Sequence, residues 1–172
     1  MKRENLFVVP LSDFEPEIGR WIWCLEDVRR TLLKKISDIS QQQLDAKLNG
    51  HSIGALLYHI ALIEADWLYE EVLGGKWNPE IRSLFPQEDR NEDGTLSYIS
   101  EQTLDEHLHR LQCVRDELLF HFRSMDLEDW RESRNLLHYD VTPEWVIYHL
   151  LEHEAHHRGQ IFQMLSILKR QS

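Results

Sequence analysis

The stretch Thr142-Pro143-Glu144-Trp145-Val146-Ile147-Tyr148-His149-Leu150-Leu151-Glu152-His153-Glu154-Ala155-His156-His157 decides the fold class. Thr142 has the short polar side chain that caps a helix, Pro143 suits the first helical position, and Glu144 puts negative charge in the first turn. Beyond this start Val146, Leu150, Ile161, Met164 and Leu168 recur as one apolar stripe, which predicts an amphipathic helix over 142–168. With Val146 at zero and about 100° per residue, His153 and His157 fall about 20° to either side of the line through Val146 and Met164. They lie one turn apart at the centre of the stripe. Each imidazole brings a donor and an acceptor that burial must satisfy, so two of them in an apolar seam are costly without a shared partner. From i and i+4 on one face, both can reach a single metal ion; the plainer reading is a pair of hydrogen-bonded core histidines.

Three further segments carry the same helical period. Ile18, Trp21, Ile22, Leu25, Leu32 and Ile36 predict a helix over 15–37, with Asp13 as its cap and Pro16 in its first turn. A polar connection follows, with one short helical turn after Ser40. Ile53, Leu56, Leu57, Ile60, Ile63, Trp67 and Leu68 predict a second long helix over 52–73, stopped by Gly74-Gly75. Leu104, Leu108, Leu111, Leu118 and Phe122 predict a third over 101–125. Residues 76–100 contain Pro79, Pro86 and an acidic run, Glu88-Asp89-Arg90-Asn91-Glu92-Asp93-Gly94, and read as irregular. A connection this long suits a crossover along a bundle better than a turn between antiparallel neighbours. The expected fold is all-α, a four-helix bundle with a long crossover between the second and third helices, formed as one domain over residues 1–172.

Composition narrows the function. The chain has 19 Lys and Arg against 30 Asp and Glu, a formal net charge of −11, which argues against a nucleic-acid or anionic-membrane surface. No window approaches the roughly 18–20 apolar residues of a membrane span, and Met1-Lys2-Arg3-Glu4-Asn5 is not followed by a signal-peptide core, so a cytoplasmic location is expected. Cys24 and Cys113 lie far apart without metal-type spacing and are expected to be small buried residues. Ten histidines are present, four of them between His149 and His157.

A mononuclear site needs a third ligand. His153-Glu154-Ala155-His156-His157 matches the HExxH zinc-protease pattern, with Glu154 as general base, but residues 158–172 offer no His, Asp or Glu downstream. A di-iron site would need a second Glu-x-x-His besides Glu154-x-x-His157. His59, on the edge of the second helix's stripe, is the best upstream candidate; His107, His121 and His149 are the others. A row of His149, His153 and His157 serves one ion poorly, since its ends are about 11 Å apart. Tyr58, Glu64, Arg158 and Gln160 are close enough in sequence to support such a site, and His156, 80° off the stripe, is peripheral. Trp21, Trp23, Trp67 and Trp145 are expected in the core, with lining a pocket as the alternative. Gly159 inside a helix costs about 1 kcal/mol relative to Ala, and close approach of another helix would offset that.

The segment Ser52-Ile53-Gly54-Ala55-Leu56-Leu57-Tyr58-His59-Ile60-Ala61, followed by Glu64 and Trp67, resembles the second helix of the DinB-like/YfiT-like metalloprotein superfamily. His153-Glu154-Ala155-His156-His157-Arg158-Gly159-Gln160 resembles its fourth-helix signature, H-x-x-x-H-R-G-Q, and the resemblance covers roughly residues 14–168. It implies a four-helix bundle, one divalent metal ion held by His59, His153 and His157, zinc or nickel as that metal, and a homodimer. It also implies a small-molecule substrate and, in some relatives, a low-molecular-weight thiol such as bacillithiol or mycothiol. Three histidines leave an open coordination position, the catalytic rather than the structural pattern. The expected activity is therefore metal-assisted attack by a thiol or water on a small electrophile. Metal-dependent hydrolysis and a non-enzymatic metal- or ligand-binding role are the alternatives.

Overall fold

A computed structural model describes residues 6–171; the basic start Met1-Lys2-Arg3-Glu4-Asn5 lies outside them. The described residues form α1 (Pro16–Ile36), α2 (Gln41–Asp45), α3 (Ile53–Asp66), α4 (Pro79–Ser83), α5 (Leu104–Arg123), α6 (Leu127–Arg131) and α7 (Pro143–Gln171). A two-residue antiparallel ladder, β1 (Arg134–Asn135) with β2 (Asp140–Val141), precedes α7. The all-α expectation holds, and no described helix is long and apolar enough to cross a membrane.

The four long helices start where the sequence places them, with three corrections. Glu15, not Asp13, caps α1: its carboxylate accepts from the backbone N–H groups of Glu17 and Ile18. The second helix is not α-helical to its end. Residues Trp67–Val72 continue α3 as a π-helical turn, in which Leu73 N–H donates to the Leu68 carbonyl five residues back. Thr142 caps α7 as read, accepting from Trp145 N–H; α5 starts at Leu104 rather than 101, behind a capping box of Thr103 with Glu106, and α2 behind one of Ser40 with Gln43.

Cross-helix pairs fix the directions. Trp21 meets Tyr148, and Arg158 donates to Thr31, so α1 and α7 run parallel. Gly54 lies against His107, while Tyr69 donates to Glu117, so α3 and α5 are also parallel. His59 meets His153 and Trp67 meets Trp145, so α3 and α7 are antiparallel. Parallel α3 and α5 oblige the chain to travel the length of the molecule between them, which explains the long crossover. The crossover is pinned by Tyr58 Oη donating to the Gln87 carbonyl and Arg110 Nε donating to the Leu84 carbonyl. Gly54 permits the close fit of α3 to α5: a Cβ there would sit 3.2 Å from His107 Nε2. The apolar stripes of all four helices meet in one core that includes Ile22, Leu32, Leu57, Leu118, Phe122 and Val146, with Trp130 of α6 fully buried beside it.

Inside that core lies a charged cluster with one member from each long helix. Arg29 of α1 pairs with Glu64 of α3 at 2.7 Å and with Glu154 of α7 at 2.5 Å. Arg115 of α5 pairs with the same two carboxylates at 2.6 and 2.9 Å. Two positive and two negative side chains, each no more than 6% exposed, therefore cancel. Arg29 also donates to the Leu111 carbonyl, and Arg115 reaches Glu26 at the rim. Burial alone would raise the Glu64 pKa; Arg115 and Arg29 outweigh it and hold the carboxyl below the usual range.

Glu64→Gln leaves the cluster with an uncompensated buried charge and should cost about 3–5 kcal/mol at neutral pH. A depressed native pKa contributes stability above the ordinary carboxylate value, 4.5, that is lost as pH falls through the native one. The gap between wild type and Glu64→Gln in denaturant unfolding should accordingly narrow from about pH 7 to about pH 3; a constant gap would contradict the pairing. Gly159 corrects another expectation, since a Cβ there meets nothing within 4 Å. No helix approaches it, and Gly159→Ala should raise stability by about 0.5–1 kcal/mol, read as a higher unfolding midpoint.

Candidate metal centre

His59 sits in the middle of α3, whose start is fixed by the Ser52 hydroxyl accepting from Ala55 N–H. His153 and His157 stand one turn apart on α7 and face it. The Nε2 atoms of His59 and His153 are 3.1 Å apart, as are those of His153 and His157. One ligating atom from each of the three residues lies within 4.8 Å of the others. The structure thus brings together the three histidines singled out from sequence.

Their outer nitrogens settle the protonation pattern. His59 Nδ1 lies 2.7 Å from Asp89 Oδ1, and His157 Nδ1 lies 2.7 Å from Gln160 Oε1. A carboxylate and a carbonyl only accept, so both Nδ1 atoms carry the proton and both Nε2 atoms present lone pairs inward. His153 Nε2, 3.1 Å from each, has at most one proton to share between them. At least one lone pair is left facing another nitrogen, a repulsion that a cation at the centre removes. Protonation of His153 or His157 is no remedy. Burial, and then His157 and His59, push the His153 pKa down to about 2. Burial, offset in part by Gln160, pushes that of His157 down to about 4. Neutral imidazole is the ligating form. Three nitrogens each about 2.0–2.1 Å from one ion at tetrahedral angles sit about 3.3 Å apart, close to the 3.1 Å found for two of the three pairs. The residues present therefore fit a divalent ion.

The other sequence candidates fall elsewhere. His107 is buried against Gly54 and Arg110, and burial with the Arg110 charge pushes its pKa down to about 4. His121 pairs with Glu117, and His156 is exposed on the flank of His157. His149 stacks on Trp145 and Trp67 instead of joining the cluster. Glu154 points into the charged core between Arg29 and Arg115, so it cannot serve as the general base of an HExxH protease. Glu64 belongs to the same core cluster, and Arg158 donates to the Thr31 hydroxyl rather than to a carboxylate. Gln160 supports His157, not His153. Asp89 was not singled out: it lies 30 residues from His59, in a crossover without periodicity, and its only signal is the acidic run. Trp21 and Trp67 are half-buried and pack against the core, Trp23 is half-buried, and Trp145, 44% exposed, does not join the core as expected. Cys24 and Cys113 are free and half-buried rather than buried.

The centre opens on a cavity of about 260 Å³ whose walls include Asn49, His51, Arg90, Thr95 and Gln160 beside His59 and His157. The lining is mixed: Asn49, His51, Arg90, Thr95 and Gln160 offer polar contacts beside the apolar Leu56 and Leu96.

A comparison with curated proteins gives no match. Residues 22–163 match the family described as Mycothiol-S-transferase, which lies within the DinB/YfiT-like metalloprotein superfamily, and the chain belongs to that family.

Proposed function

We propose that the chain is a metal-dependent S-transferase that joins a low-molecular-weight thiol to a small electrophile, with one divalent ion held by His59, His153 and His157. The observation that carries this reading is the convergence of three imidazole nitrogens, His153 Nε2 lying 3.1 Å from His59 Nε2 and from His157 Nε2, with the outer nitrogens of His59 and His157 held by Asp89 and Gln160. Family membership favours a thiol over water as the nucleophile. In the reaction a sulfur–carbon bond forms, the bond from that carbon to its leaving group breaks, and the thiol proton departs with the leaving group. The ion supplies Lewis acidity that lowers the pKa of a thiol at its open position. Zinc and nickel both suit three imidazoles.

The protein's own groups have separable tasks. Asp89 and Gln160 hold the Nδ1 protons of His59 and His157 and so aim their Nε2 atoms. The thiol's polar body occupies the cavity walled by Asn49, His51 and Arg90, beside His59 and His157.

Elemental analysis of untagged protein should find about one zinc or nickel per chain in wild type and in His138→Ala, and far less in His59→Ala, His153→Ala and His157→Ala. Equal metal in all of them sinks the site. Asp89→Asn should weaken metal binding by about 10–100-fold without unfolding the protein. Metal-loaded wild type should conjugate a low-molecular-weight thiol to an activated haloarene or epoxide, and the metal-free variants should not. A loaded protein with no rate across a panel of thiols would remove the transferase reading while leaving the metal site intact.

A further inference from the structure

A second cavity, of about 510 Å³, lies along the same α3/α7 seam, beyond His149 from the three histidines. Its walls include Trp67, Tyr139, Trp145 and Asp140, and no Lys or Arg is among its described lining residues. Trp67 and Trp145 have ring centroids 5.2 Å apart, and Trp67 and Tyr139 6.4 Å apart. Trp145 and Tyr139 remain 44% and 46% exposed, so a large part of each ring is left to a ligand rather than to the core. His149 stacks on Trp145 with its plane only 5° off, which holds that indole in place. Trp67 begins the π-helical turn, the one interruption of the α3 ladder, and Glu71 lies within that turn.

Behind the aromatic wall the charge is one-sided. Glu71, 9% exposed, accepts from Tyr139 Oη at 2.7 Å through Oε1, while its Oε2 is buried with no hydrogen-bond partner among the described residues. Burial raises the Glu71 pKa, and nearby Asp66 raises it further. Asp140 adds another carboxylate at the rim.

We propose that this cavity binds an organic cation, an alkylammonium or quaternary ammonium group seated against the faces of Trp67, Tyr139 and Trp145. Aromatic faces carry the negative end of the ring quadrupole, and a cation within about 6 Å of the centroid is attracted to them. A neutral planar ligand could fill the same space, but it would bring no charge toward the unpartnered Glu71 Oε2; Asp140, at the rim, already accepts from Asn135 Nδ2 at 2.8 Å. The site stands apart from the proposed metal centre: Trp145 and His153 are two helical turns apart on α7, about 12 Å.

Choline and its neutral isostere 3,3-dimethylbutan-1-ol have the same shape and differ in charge, so they test the proposal directly. Tryptophan fluorescence titration of the full chain should show saturable choline binding and at least about tenfold weaker binding of the alcohol. Trp145→Leu, at an exposed position where folding is not at stake, and Tyr139→Leu should each weaken choline by at least about fivefold. His153→Ala should leave choline binding unchanged. Equal affinity for the two probes, no saturation with choline, indifference to both aromatic substitutions, or loss in His153→Ala would each overturn the proposal. Because the readout is binding rather than turnover, it is independent of whether the chain transfers thiols.

Discussion

One residue from each long helix meets in the buried cluster of Arg29, Glu64, Arg115 and Glu154, and the rest of the structure follows from satisfying those four charges. Ion pairs in a core gain little net stability, because desolvation offsets most of their attraction. What they impose is register. Rotating α7 by a fraction of a turn would carry Glu154 away from both arginines and leave two buried cations facing one carboxylate. Apolar stripes tolerate such rotations, since one methyl group replaces another at modest cost. Four paired charges do not, so the cluster selects a single rotational setting among several that hydrophobic packing would accept.

That setting determines where the histidines point. On α7, His153 lies about 100° and His157 about 60° around the helix from Glu154, both to the same side. With Glu154 held inward by Arg29 and Arg115, both imidazoles turn toward α3, where His59 waits. The glutamate of the HExxH string thus works for the site by fixing the helix rather than by meeting substrate. Asp89 and Gln160 then complete what the helix phase begins, because they decide which nitrogen of each ring faces inward. The crossover is also part of the site: it exists because α3 and α5 are parallel, and it delivers Asp89 to His59 and Arg90 to the cavity wall.

Helical period made α1, α3, α5 and α7 legible, together with the pairing of His153 with His157, because each depends on spacing along one element. The parts that escaped are those where the deciding partner is distant in sequence. Nothing near Asp89 announces that a loop carboxylate will find a ring 30 residues away. Arg29 and Arg115 carry no signal of their own, and Glu64 reads as a neighbour of His59, since a pattern of polar residues cannot reveal that four helices will enclose four charges. The π-helical turn at Trp67 is invisible to a period of 3.6. Trp145 failed for the opposite reason: a large aromatic next to a core stripe is expected inside, yet its position on α7 faces the mouth of a cavity.

The α3/α7 seam shows how a simple antiparallel helix pair can be graded chemically along its length. At one end, His59 and His157 open on Asn49, His51 and Arg90, polar side chains set beside Leu56 and Leu96. At the other, Trp67 and Trp145 with Tyr139 make an aromatic wall backed by carboxylates. Between them His149 touches both regimes, stacking on Trp145 while its ring centroid lies 6.0 Å from that of His153. The antiparallel arrangement makes this possible: residues eight apart on α3, His59 and Trp67, are matched by residues eight apart on α7, His153 and Trp145. The same two turns of helix therefore separate a polar compartment from an aromatic one.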